Sequence, residues 1–138
     1  MKVQDVMTSG CRTCGRDDTI RQAAEAMASE NIGVLPIAEN DRLVGMLTDR
    51  DIVVRGLADG HDIDQAKAGE FMTDKVLYCY EDQDTDEVAG NMGDLQVRRL
   101  PVINRDKKLV GIVSLGDLSH RGATDAAGVA LSDVSAPD

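Results

Sequence analysis

Ile20, Ala23, Ala24, Met27 and Ala28 follow the i, i+3, i+4, i+7, i+8 spacing of one helical face, and Val88, Ala89, Met92 and Leu95 repeat the stripe later in the chain. Each run has a start signal. Thr19 stands where an N-cap belongs, with Gln22 at the capping-box position, and Asp84 and Glu87 take the same two places before the second run. Beyond each helix the spacing changes: "VLPIAENDRLVGML" reads as a strand ending near Ile37, a turn around "ENDR" and a second strand, Leu43 to Leu47, in a hairpin. Pro36 lacks a ladder donor, so its position calls for a bulge or a sheet edge. From Asp49 to Leu57 a further helix is expected, with Ile52, Val53 and Leu57 apolar and "ADGHD" as its breaker.

The likeness between the two runs extends to the whole unit. "VMTSG" at Val6 matches "FMTDK" at Phe71, "AAEAM" matches "VAGNM" and "VLPI" matches "RLPV", at a constant offset of 65 residues. Past Pro36 and Pro101 the second copy has one more residue in its turn, "INRDKKLVG" against "IAENDRLVG", and the offset becomes 66. One insertion in a turn is what two copies of a folded unit tolerate. The expectation is an α+β (mixed α/β) protein of two βαββα-type repeats, residues 1–62 and 63–122, with 123–138 as a C-terminal tail. Ile63 to Phe71 is expected as a short linking helix, and Ala127 to Val134 as an amphipathic turn or two. A single unit is small for a core of its own, so the two are expected to pack sheet to sheet into one globule with pseudo-twofold symmetry and clefts between the copies.

Composition narrows the partners. A formal net charge of −10 opposes both nucleic acid and an anionic membrane surface, and with Phe71, Tyr78 and Tyr80 as the only aromatics a base-stacking surface is excluded. "MKVQDVMTSG" lacks the apolar core of a secretory signal, and no run approaches the roughly 20 apolar residues that cross a bilayer. Three cysteines, Cys11, Cys14 and Cys79, fit a reducing compartment better than a disulfide framework, so a cytoplasmic location is expected.

The feature with chemical content is a hydroxyl and an acid three residues apart, after the hairpin of each copy: Thr48 with Asp51, and Ser114 with Asp117. Taken once, Ser/Thr-x-x-Asp is accounted for by helix capping. Taken twice at symmetric positions, with the residues between them not retained, it points to paired sites. Helix N-terminal N–H groups and a hydroxyl suit a phosphate, and a carboxylate can accept both hydroxyls of a ribose.

With its "VMT" and "FMT" leads, "VLPI" and "RLPV" strands, "LVG" turns and doubled hydroxyl–acid pairs, the chain to about Gly122 resembles a tandem pair of cystathionine β-synthase (CBS) domains, a Bateman module, of the small stand-alone bacterial type. The resemblance implies a non-enzymatic regulatory module that binds AMP, ADP, ATP or S-adenosylmethionine between the repeats and signals through conformation or association. It puts the ribose-binding acid on Asp51 and Asp117 and the phosphate-proximal hydroxyl on Thr48 and Ser114. Val34, Leu35, Arg99 and Leu100 match the strand residues that line the adenine with backbone groups. It further implies a homodimer, a regulated protein partner and no required cofactor.

Arg98 and Arg99 have no basic counterpart in the first copy, where Gly33 and Val34 stand, so positive charge for phosphate is concentrated on one side; Arg50 and Arg121 could add to it. The competing account of each arginine is a solvated residue paired with one of the 25 acids. Cys11 and Cys14 have C-x-x-C spacing, but further ligands are hard to find, and small buried strand residues account for them better than a metal or redox switch. No nucleophile–base constellation, phosphate loop or metal-spaced set is present, and "CYEDQDTDE" reads as the polar approach to a capped helix. The competing readings are a ligand-free interaction scaffold, in which Thr48 and Ser114 only cap helices, and a thiol- or metal-responsive protein built on Cys11 and Cys14.

Overall fold

The computed structural model describes residues 1–121, with side chains through Leu118. The expected turn at Ala127 to Val134 lies outside the described residues.

After Thr19 the chain enters α1, Ile20–Glu30, through the capping box its residues predict: the Gln22 amide donates to Thr19 Oγ1 at 3.1 Å and the Thr19 amide to Gln22 Oε1 at 2.8 Å. Ile20, Ala23 and Met27 are buried, but the inward face leans toward Ala26, with Ala24 half-buried and Ala28 exposed. Alanine tolerates either environment, so alanines on both flanks of the Ile20–Met27 line leave the tilt of the face open. In α2, Thr85–Leu95, Asp84 caps by accepting the Asp86 amide at 2.8 Å. The expected box with Glu87 does not close. Glu87 Oε1 instead accepts from Gln83 Nε2 at 3.1 Å. Leu95, expected in the stripe, is 46% exposed, and Thr85 and Gly93 are buried beside Val88, Ala89 and Met92.

Each helix is followed by a hairpin: β2, Val34–Glu39, with β3, Arg42–Thr48, and later β5, Arg99–Ile103, with β6, Leu109–Ser114. Both slip register one residue past the proline, between Ile37 and Ala38 and between Val102 and Ile103. Pro36 itself stays paired with Met46, so of the two expected settings the sheet edge is the one that accommodates it. The Pro36 carbonyl accepts from the Cys14 amide at 3.1 Å, on the side away from β3, so the missing proline donor removes nothing from the hairpin. The first turn holds Asn40 and Asp41 at φ 52° and 64°, the paired left-handed conformation of a type I′ turn. The extra residue of the second copy changes the turn type: Asn104 C=O accepts the Lys107 amide at 2.9 Å, Lys107 alone is left-handed at φ 64°, and Asn104 Oδ1 holds the amides of Asp106 and Lys108 at 3.0 Å each.

The lead-in residues exchange copies. In a four-stranded sheet ordered β1-β6-β5-β4, β1 (Thr8–Ser9) pairs antiparallel with β6 of the second repeat, and β4 (Cys79–Tyr80) pairs parallel with β5. Around β2 and β3 the same pattern is drawn with single bridges, Thr73 to Met46 and Cys14 to Ile37. Gly111 permits the first exchange, because a Cβ there would lie 2.6 Å from Thr8 O. Gly45 permits the second, where a Cβ would lie 3.0 Å from Thr73 O and against the Met72 thioether.

As a result the compact units, Arg12–Val76 and Met1–Cys11 with the chain from Leu77, cut the sequence differently from the repeats 1–62 and 63–122. Each unit has its own core: Ile20, Leu35, Ile37 and Leu47 with Phe71 in one, and Val88, Met92, Val102 and Val113 with Val3 and Val6 in the other. Ile63 to Phe71 is not the expected helix. It runs through turns to a three-residue 3₁₀ turn at Ala68–Glu70, because its backbone groups bond to the entrance of α1: Ala66 C=O accepts the Ile20 amide at 3.0 Å, and Asp18 C=O accepts the Ala68 amide at 2.7 Å.

After β3 the expected helix forms, but Asp51–Leu57 winds as a π-helix, whereas its counterpart α3, Leu115–Arg121, is α-helical. Of its apolar positions Ile52 is half-buried, while Val53 and Leu57 are 53% and 60% exposed. Gly56 is the buried residue instead: a Cβ there would lie 2.9 Å from Ile20 Cδ1, so bare backbone packs on α1. No described helix is long and apolar enough to cross a membrane.

Candidate functional site

Thr48 ends β3 and Ser114 ends β6, and in both places the hydroxyl and acid are locked by the same reciprocal pair of bonds. The Asp51 amide donates to Thr48 Oγ1 at 3.1 Å while the Thr48 amide donates to Asp51 Oδ2 at 3.0 Å; the Asp117 amide donates to Ser114 Oγ at 3.0 Å while the Ser114 amide donates to Asp117 Oδ2 at 2.9 Å. This is capping geometry, and it also fixes both side chains. Each hydroxyl accepts through its oxygen and keeps its proton to donate, and each carboxylate has a second oxygen beyond the bonded one. Capping and ligand recognition are therefore compatible on the same two residues.

The strands before the prolines divide by alternation. Gly33 C=O accepts the Asp49 amide at 2.9 Å and Arg98 C=O accepts the Leu115 amide at 3.0 Å, which turns the backbone groups of Leu35 and Leu100 toward the hairpin partner and those of Val34 and Arg99 away from it. Leu35 and Leu100 also bury their side chains, at 0% and 2% exposure. Of the four strand residues singled out in the sequence, Val34 and Arg99 can offer backbone groups outward, whereas Leu35 and Leu100 serve the ladder and the core. Val34 faces Thr48 and Arg99 faces Ser114 in register, so each outward residue stands beside a hydroxyl.

The arginines separate as well. Arg16, Arg21 and Arg105 pair with Glu39, Asp64 and Asp82, and Arg55 lies 3.8 Å from Asp51 Oδ1 while donating to Phe71 C=O at 3.0 Å. Arg98, Arg99 and Arg50 are exposed, and among the described residues none of the three forms an ion pair. The Arg121 side chain lies outside the described residues. One charged group at the site carried no signal in the motif alone: the Asp49 carboxylate lies over Gly33, where a Cβ would come within 2.9 Å of Asp49 Oδ2. Aligning Asp49 with Leu115 in the repeat would have exposed it.

The cysteines are all free. Burial, followed by the Asp18 carboxylate, pushes the Cys14 thiol up to about 12, burial alone pushes Cys79 to about 12, and burial raises Cys11 too. Such thiols are poor nucleophiles. Among the described residues no three His, Cys, Asp or Glu side chains gather as a metal would require. A cavity of about 410 Å³ beside Cys14, reached by Arg12, Asp18, Gln22 and Glu25, lies against α1 and includes none of the hydroxyl–acid pairs.

The CBS domain profile matches residues 3–57 and 68–123. The chain belongs to the CBS domain family. This CBS pair is 43% identical over 140 residues to YlbB, an uncharacterised protein of Bacillus subtilis, covering 99% of this chain and 93% of that one. It is 44% identical over 118 residues to hypoxic response protein 1 of Mycobacterium tuberculosis, covering 85% and 82% of the two chains. A crystal structure of hypoxic response protein I with two coordinated zinc ions superposes with a TM-score of 0.79 at 41% identity, over 88% of this chain and 98% of that one. The CBS domain pair of protein MJ0100, crystallised with 5′-methylthioadenosine and S-adenosyl-L-methionine, gives a TM-score of 0.73 at 30% identity, over 87% and 98%.

Proposed function

We propose that this CBS pair is a non-enzymatic sensor that binds an adenosine-containing ligand, AMP, ADP, ATP or S-adenosylmethionine, through Thr48 and Asp51 in one repeat and Ser114 and Asp117 in the other. The observation that carries the reading is the doubled reciprocal lock, which holds a hydroxyl proton and a carboxylate oxygen in one fixed arrangement at two equivalent places. Asp51 and Asp117 accept the ribose hydroxyls, and Val34 and Arg99 offer backbone groups to the adenine edge. The adenosine derivatives crystallised with the MJ0100 CBS pair support this ligand class. Occupancy acts by favouring one conformation or association over another, within the ligand's differential affinity for the two. Exposed Val53, Val54 and Leu57 supply apolar surface for a homodimer, and the output passes to a regulated protein in the cytoplasm.

Thermal unfolding against AMP, ADP, ATP and S-adenosylmethionine tests the reading. A ligand that binds only the folded state raises the midpoint, and Asp51→Asn with Asp117→Asn should abolish the rise while leaving the unliganded midpoint nearly unchanged. No rise with any of the four at millimolar concentration would favour the scaffold reading, for which the closed capping geometry at both pairs is the supporting observation.

A further inference from the structure

We infer that the two hydroxyl–acid pairs select ligands of different charge: the Ser114 pair takes an adenosine ligand carrying phosphates, and the Thr48 pair takes an uncharged or cationic adenosine derivative, with Asp49 as the residue that excludes phosphate. The inference rests on the reading above and assigns a ligand class to each pair.

Matching hydrogen bonds make the two places comparable atom by atom. Residue 33 is held beside 49 as residue 98 is beside 115, through the 2.9 Å and 3.0 Å bonds between their backbones, and Val34 faces Thr48 as Arg99 faces Ser114. The side chains at these equivalent positions invert the charge. In the first repeat Gly33 leaves a space that the Asp49 carboxylate enters, next in sequence to Thr48 and beside the residue that precedes Val34, while Asp51 is bonded to the Thr48 amide. Arg50 gives only its backbone amide to Asp49 Oδ1 at 2.8 Å and its guanidinium forms no ion pair among the described residues, whereas the Arg55 guanidinium is engaged with Asp51 and Phe71 C=O.

In the second repeat the carboxylate is gone, replaced by the apolar Leu115, and Arg98 stands where Gly33 was. Arg99 lies directly across from Ser114, on the same face of the hairpin, and neither guanidinium forms an ion pair among the described residues. In a chain of net charge −10, an unpaired Arg99 across from a donor hydroxyl, with an unpaired Arg98 at the neighbouring strand position, forms a local anion-attracting surface. The Thr48 pair sets Asp49 and Asp51 against the single unpaired guanidinium of Arg50, a balance that disfavours a phosphate and favours a cationic substituent relative to the Ser114 pair.

Isothermal titration with ATP and with adenosine, at physiological ionic strength, tests this on the full chain and on Asp51→Asn, Asp117→Asn, Asp49→Leu and the double variant Arg98→Gly with Arg99→Val. ATP should bind the unaltered protein once per chain, be lost in Asp117→Asn and persist in Asp51→Asn. The arginine variant, which copies the first repeat, should lower the ratio of ATP to adenosine affinity about tenfold, and Asp49→Leu should open a second ATP site. ATP lost in Asp51→Asn but kept in Asp117→Asn, or an affinity ratio that neither charge variant moves, would overturn the inference while leaving an adenosine-binding protein. Absence of binding by both ligands would overturn the reading beneath it as well.

Discussion

The two repeats share capped helices, bulged hairpins and hydroxyl–acid locks, yet differ where the chain is free to differ. One hairpin turns on two left-handed residues and the other on one, the helix after one is π and after the other α, and Gly33 and Asp49 of the first repeat give way to Arg98 and Leu115 in the second. The conserved features are those the backbone hydrogen bonds depend on. The divergent ones lie on side chains pointing outward or in a turn that accepts an insertion. A duplicated scaffold thus keeps its geometry while its two chemical faces separate.

That comparison can be broken most forcefully at the exchanged lead-ins. Gly111→Ala drives a Cβ against the Thr8 carbonyl, a backbone atom, and should cost about 3 kcal/mol in urea unfolding. Gly45→Ala should cost about 1–2 kcal/mol, because much of what its Cβ meets is the flexible Met72 side chain. Equal costs would show that the exchanges are not packed as described. The π-helix gives a second contrast. Gly56→Ala should lose about 1–2 kcal/mol through its clash with Ile20 Cδ1, and the loss should shrink in an Ile20→Val background, where that methyl is absent.

The locks should behave alike. Thr48→Ala and Ser114→Ala each remove one cap and should each cost about 1 kcal/mol, whatever ligand either pair prefers. The smallest effect concerns the thiols. Cys14 and Cys79 stay neutral in the fold to about 12, above the ordinary thiol value of 9.0, so the unfolded chain loses its thiol protons first. Stability from these groups is intact below about pH 9 and falls as pH rises toward 12, and Cys14→Ala with Cys79→Ala should flatten that fall in pH-dependent unfolding.

Much of this was legible in the sequence because it is local. The caps at Thr19 and Asp84, the hairpins, the bulges after Pro36 and Pro101 and the hydroxyl–acid spacing all depend on residues a few positions apart. What escaped depends on competing partners and on packing that spacing does not encode. Glu87 left its box for Gln83, the segment from Ile63 to Phe71 gave its hydrogen bonds to α1 instead of to a helix of its own, and Leu95 and Val53 face outward although their spacing fits a buried stripe. At the site, the motif located Thr48, Asp51, Ser114 and Asp117 but passed over Asp49, whose difference from Leu115 is legible in the repeat while its place over Gly33 is set by the fold.

The pairing of Thr8 and Ser9 with Ile112 and Gly111 also has a temporal meaning. On a ribosome the Arg12–Val76 unit has every strand it needs once Val76 has emerged, so the middle of the chain can close first. Residues 1–11, synthesised ahead of that unit, must wait for β6, more than a hundred positions later, before Val3 and Val6 find their core. A segment made earlier than the Arg12–Val76 unit thus completes its packing after it.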